Sequence, residues 1–247
     1  MANPIRSITQ VGATEPFGLQ VSRGQIMGHS NVFKFGYNPV VQAVEETVWD
    51  FGGIYAYPSS AVAMSVTSAA GATDNGVQVQ VQGLDADYAP LTETVTLAGS
   101  GTATTSGLFL RVFRAFTSGS QALTGAASIT NGGVTYAYLA VASQQTLMAV
   151  YTVPAGHTAY VTQFDTTSLT EANNKFGTIR LVIREEGGVF RTQQQFAAEN
   201  SSVVLVFTYP IAIPEKSDME VRAIGSSANA DLKVSSNFEL VIIRNEA

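Results

Sequence analysis

The 247-residue sequence has no cysteine, a single tryptophan and two histidines. Without cysteine there is no disulfide, no thiolate-held zinc and no thiol nucleophile. Charge is also scarce. Asp, Glu, Lys and Arg make up 13% of the chain, against roughly 25% in ordinary soluble domains. The formal net charge is −6 and Lys and Arg do not cluster, so nothing is arranged to neutralise phosphates and nucleic acid is not expected as a partner. No apolar run approaches the roughly 18 residues a spanning helix needs, so a membrane is not expected either. The start, MANPIRSITQVG, shows no apolar core of a secretory signal. Ser, Thr, Gln, Ala and Gly fill the place of charge. That is the composition of a β-rich assembly protein whose surface is taken up by neighbours, and it favours an oligomer over a free monomer.

The chain divides into three parts. Residues 1–45 form an N-terminal arm holding Pro4, Pro16 and Pro39 with few periodic apolar positions. Two readings of it are open: a frayed terminus, or an extended arm ordered against a neighbouring subunit. Phe33, Phe35 and Tyr37 alternate with Lys34 and Gly36. One strand face would therefore be aromatic, unlike a disordered tail.

Residues 46–143 form a first β-sandwich domain. Val77, Val79 and Val81 alternate with Gln78, Gln80 and Gln82, a two-residue period that separates valines from glutamines. Strands are also predicted over Thr92 to Leu97, Leu108 to Phe113 (covered on both sides), Ala61 to Thr67, Ala126 to Thr130 and Val134 to Val141. Gly99 to Gly107 and Thr117 to Gly125 read as loops. Residues 144–247 form a second, more hydrophobic sandwich of jelly-roll type. Hairpins are expected at Leu147 to Phe164, through Pro154-Ala155-Gly156, and at Thr178 to Phe196, through Gly187-Gly188. Val203 to Tyr209, Met219 to Ile224 and Leu232 to Arg244 complete the strands, and Leu169 to Lys175 could form a helical turn. The fold class is all-β: two β-sandwich or jelly-roll-like domains preceded by an extended N-terminal arm.

Residues able to carry chemistry are sparse. His29 and His157 lie in different parts, with no nucleophile or orienting carboxylate spaced around them. Asp85 and Asp87 lack the further ligands of a calcium loop, so they read as a solvated turn. Glu45-Glu46 and Glu185-Glu186 are adjacent pairs. Neighbours on a strand point to opposite faces, so neither pair can flank a glycosidic bond, and both read as solvated edges. Arg111 and Arg114 stand in an otherwise apolar strand, as partners of carboxylates or as solubility charges. Trp49 reads as a core or arm-anchoring residue. No phosphate loop or nucleophile elbow is present, and neither catalytic residues, a metal nor a cofactor is expected.

The run from Arg23 to Tyr57 contains Gly28-His29, Lys34-Phe35-Gly36 and Asn38, then Trp49, Gly52, Gly53 and Tyr55. It resembles the N-terminal region of virion structural proteins of tailed bacteriophages, including marine and cyanobacterial ones. The resemblance continues diffusely through Val79 to Ser100, Leu108 to Phe116 and Tyr151 to Phe164. It implies a non-enzymatic particle component, most like a capsid decoration (cement) protein made in the host cytoplasm. Such a protein would bind the outer face of the major capsid protein's lattice as a homo-oligomer, a trimer being favoured. The arm residues expected to contact the partner are Arg23, His29, Phe33, Lys34, Phe35, Tyr37 and Trp49. A tail, neck or fibre component, with host-surface glycan binding, is the alternative.

Overall fold

The computed structural model describes residues 15–170, 175–227 and 232–245. Among them the chain is all-β, with sixteen strands, one short helix (α1, Phe17–Ser22) and a 3₁₀ turn at Gly71–Asp74. Two separate hydrophobic cores organise the strands.

The first core lies between two antiparallel sheets. One sheet runs in the order β1 (His29–Val41), β16 (Leu232–Arg244), β11 (His157–Leu169), β14 (Ser201–Ile213). The other runs β10 (Val150–Thr152), β15 (Asp218–Gly225), β12 (Gly177–Arg184), β13 (Arg191–Ala198), with the short β2 (Glu46–Thr47) also paired to β15. With β2 set aside, the eight strands follow one another so that every chain-consecutive pair but β12–β13 crosses between sheets. This is the double Greek-key connectivity of a jelly roll. Phe164, Phe238 and Leu240 face Ile179, Leu181 and Val221 across its core.

The second sandwich is inserted between β2 and β10. Its sheets are β6 (Thr102–Phe109), β3 (Val62–Ser68), β8 (Ala127–Asn131), β9 (Val134–Leu139), and β5 (Pro90–Thr96), β4 (Gln78–Leu84), β7 (Arg111–Thr117). The valines of β4 are buried and Gln78 is exposed, as the two-residue alternation requires.

Several expectations need correction. Residues 29–41 do not stand apart from the body as an arm. They form β1, paired along its length with β16 of the same chain from His29 opposite Ile243 to Val41 opposite Leu232. Gly36 is obligatory there, because a Cβ would lie 2.2 Å from the Val48 carbonyl and 2.4 Å from the Ala149 amide. Residues 1–14 lie outside the described residues. Leu147 to Phe164 is not a hairpin, since β10 pairs with β15 and β11 with β16 and β14; the Pro-Ala-Gly turn carries the chain from one sheet to the other. Leu108 to Phe113 is two strands, broken at Leu110, with β6 and β7 in different sheets. Thr102 to Gly107, expected in a loop, belongs to β6. The β12–β13 hairpin forms as predicted, with Gly187 at φ +71°. Of the helical turn expected at Leu169 to Lys175, Leu169 ends β11 and residues 171–174 lie outside the described residues.

Candidate functional site

Where the inserted sandwich meets the jelly roll, charge is buried. Arg111 leaves β7 and Asp218 opens β15. Arg111 Nε donates to Asp218 Oδ1 at 2.7 Å and Nη2 to Oδ2 at 3.1 Å, a two-pronged pair across the junction. Arg184 reaches the same carboxylate from the end of β12, at 3.1 and 2.5 Å, and Thr152 donates to it at 2.7 Å. Two residues along β15, Glu220 accepts from Arg222 at 2.9 and 2.5 Å and from Thr47 at 2.6 Å. Burial pushes the Glu220 carboxyl up, against the pull of Arg222. Glu45 ties Arg222 to Arg180 at 2.9 and 2.8 Å.

Aromatic rings separate these guanidinium groups. Arg111 lies 5.5 Å from the Tyr88 ring and 5.2 Å from Tyr57. Arg184 lies 4.5 Å from Tyr57 and 4.6 Å from Phe190, and Arg222 lies 4.4 Å from Phe190. Three cations thus alternate with three rings, each within cation–π range. Every carboxylate of the stack is engaged, so the arrangement serves as a lock between sandwiches. The Tyr57 hydroxyl is buried without a partner; burial, then Glu220 and Asp218, push it well above its ordinary value.

Glu45 and Glu46 are therefore not solvated edge charges. Glu45 joins the stack, and Glu46 is buried, accepting from Asn38 Nδ2 at 3.0 Å. Arg111 is an ion-pair residue, whereas Arg114 is exposed and lies over Phe116. Asp85 accepts from the amides of Asp87 and Ala89, closing its own turn. Among the described residues no group of three or more His, Asp or Glu is placed to hold a metal ion, and no helix is long and apolar enough to cross a membrane.

Beside the junction, Lys34 points inward from β1. It is buried, donates to the Phe113 carbonyl and lies 5.5 Å from the Phe113 ring. Burial, reinforced by Arg114, lowers its ammonium to about 7. Asn31, Gln82, Arg114, Tyr151 and Pro154 help to line a cleft of about 250 Å³ beside it.

The side chains that alternate with Lys34 point the other way. Phe33 and Phe35 are 57% and 40% exposed on the outer face of the β1–β16–β11–β14 sheet. There they stand opposite Glu239 and Asn237, with Tyr37 opposite Ser235. At the far edge Val204 and Val206, both 65% exposed, stand opposite Asp165 and Gln163. Between the apolar edges runs a polar strip in which Gln163 and Asn237 donate to Asp165 at 2.8 and 2.7 Å.

The seven residues expected to meet a partner therefore divide. Phe33, Phe35 and Tyr37 share the outer face. His29 lies at the same strand's start, edge-on to Phe17 with ring centroids 6.1 Å apart. Arg23 pairs with Glu15 beside α1. Lys34 and Trp49 are buried and present no surface. Trp49 belongs to the inserted sandwich's core, packed on Tyr55, with Nε1 donating to the Gly53 carbonyl at 3.0 Å. Gly52 and Gly53 both take positive φ, so the Trp49 to Tyr55 run is a glycine-enabled turn placing two rings in the core. The exposed valines of β14 have a signal in the sequence, the uncharged run Val203 to Tyr209.

These features define an all-β protein with a jelly roll and an inserted sandwich. No protein-family model matches the chain and no curated protein sequence matches it. Among solved structures it is similar, at 11% identity over 88% of this chain and 73% of that one, to the infectious bursal disease virus Gt strain, with a TM-score of 0.23. It is also similar to that virus's VP2 subviral particle (10% identity, 88% and 72% covered, TM-score 0.24) and to its T13 viral particle (10%, 88% and 70%, TM-score 0.27). At such scores the likeness assigns no role to any residue of this chain.

Proposed function

We propose that this chain is a non-enzymatic structural subunit of a virus particle, and within that class a decoration protein seated on the outer face of a capsid lattice. The observation that carries the reading is the outer face of the β1–β16–β11–β14 sheet. It exposes Phe33 and Phe35 at one edge and Val204 and Val206 at the other, flanking a polar strip that includes Gln163, Asp165, Asn237 and Glu239. Exposed apolar groups gathered on one face mark a contact surface. The resemblance of the Arg23 to Tyr57 run to phage virion proteins points the same way, since it covers β1 and the Trp49 turn. Many copies bound through modest contacts would stabilise a shell by avidity. Copy number per particle, measured by quantitative mass spectrometry of purified virions against the major capsid protein, tests this. A simple ratio to the capsid subunit is expected; a handful of copies would overturn decoration in favour of a tail, neck or fibre place.

A further inference from the structure

We propose that β14 is the edge at which a second copy of this chain adds its own β14, antiparallel, joining two jelly rolls through one continuous sheet. This goes beyond the decoration reading and does not depend on it. β14 ends its sheet and is hydrogen-bonded on one side only, to β11. Native sheet edges are usually blunted by Lys, Pro or a bulge. β14 does carry Pro210 and a register shift between Val206 and Ile211, but from Ser201 to Val206 it runs in unbroken register with β11 and has no charge, proline or bulge, and Val204 and Val206 are each 65% exposed. Its inward side chains are not sealed either, since Phe207 packs on the core while only partly buried.

The occupant follows from charge and shape. A basic or acidic partner would have to leave its charges unpaired against this uncharged strand, which costs free energy. Copies of a chain with net charge −6 repel one another except through a charge-free strip. A second β14 is such a strip, equal in length and pattern. Antiparallel pairing of a strand with itself is self-complementary about a twofold axis. The six residues Ser201 to Val206 in unbroken register extend about 20 Å, an ordinary length for strand pairing.

The full-length chain and the Val204→Lys/Val206→Lys variant would be compared by native mass spectrometry and sedimentation from about 1 to about 100 µM. Both side chains are exposed, so the variant should fold, which a circular dichroism melt checks. The wild type should form dimers or other even-numbered species, and the variant should dissociate with a constant at least about a hundredfold weaker. A monomeric wild type, a trimer (which needs a different, heterologous contact) or a dimer indifferent to both lysines would overturn the pairing. Should the variant misfold, hydrogen exchange on the wild type decides. Amides of Val203 to Phe207 should gain protection as concentration rises, and equal protection at both ends of the range would overturn the proposal.

Discussion

Replacing Lys34 with methionine should stabilise the protein near neutral pH and lose that advantage in alkali. The ammonium falls from 10.5 to about 7, through burial first and Arg114 second, so protonating it in the fold carries a penalty of about 5 kcal/mol. Between those two values the unfolded chain holds the proton and the native chain does not, so stability rises with pH across that window. Below about 7 both states are protonated and the penalty is present in full; above 10.5 it is gone. Methionine has nearly the same length and no charge, but it leaves the Phe113 carbonyl, Lys34's acceptor, without its donor, at about 1 to 3 kcal/mol. The balance at pH 6.5 is a gain of about 2 to 4 kcal/mol, shrinking by about 3 kcal/mol at pH 9.5. Urea unfolding of both proteins at the two pH values measures it, provided the slope of the transition is unchanged. A difference that does not vary with pH, or a variant less stable at pH 6.5, would show that Lys34 is charged and well accommodated in the fold.

Three further outcomes follow from the same reasoning. Asp218→Asn leaves Arg111 and Arg184 facing a neutral amide and should cost about 3 to 5 kcal/mol, read as a lowered melting temperature. Asp50 sits with both carboxylate oxygens shielded and without a well-formed hydrogen bond, and burial raises it from 3.8 to about 7. The wild type therefore loses stability as pH rises through that interval. Asp50→Asn should match it near pH 3.8 and exceed it at pH 7.5; an equal difference at both pH values would refute the burial argument. Phe109→Ala, at a fully buried position, should cost about 3 to 5 kcal/mol, whereas Phe35→Ala should leave the melt nearly unchanged and weaken particle attachment, and the reverse pattern would mean their roles are exchanged.

What the sequence disclosed was whatever repeats every two residues. The Val-Gln alternation of β4 and the Gly-Gly hairpin between β12 and β13 are local signals, legible without any distant partner. The place of β1 was not legible, because its partner β16 lies at the other end of the chain. Aromatic alternation states that Phe33 and Phe35 share a face without stating what lies beneath Lys34. β6 was hidden by Thr, Ser and Gly, which elsewhere mark loops. Thr105 is buried there because its hydroxyl is satisfied, accepting from the Met64 amide and donating to the Gly107 carbonyl. The break at Leu110 leaves the alternation intact while the chain changes sheets. Arg111 was noticeable as a cation in an apolar strand, but its carboxylate is 107 residues away, and no spacing rule reaches that far.

The scarcity of charge and the form of the surface are connected through the junction. Of thirteen Lys and Arg residues in the chain, Arg111, Arg180, Arg184 and Arg222 are committed to the stack with Asp218, Glu220 and Glu45. Such pairs add little net stability over apolar packing, because desolvation offsets most of the attraction. They do fix geometry: a guanidinium held by two carboxylate oxygens and faced by rings tolerates little rotation. Charge is thus concentrated where one sandwich is registered on the other. Along the described outward positions of the β1–β16–β11–β14 sheet, the charged side chains are Asp165, Glu239 and Lys233. A molecule that holds its two bodies rigid and leaves one broad face weakly charged is suited to fit against flat neighbours in a fixed orientation. Loosening the stack should therefore impair docking even where the docking residues themselves are untouched.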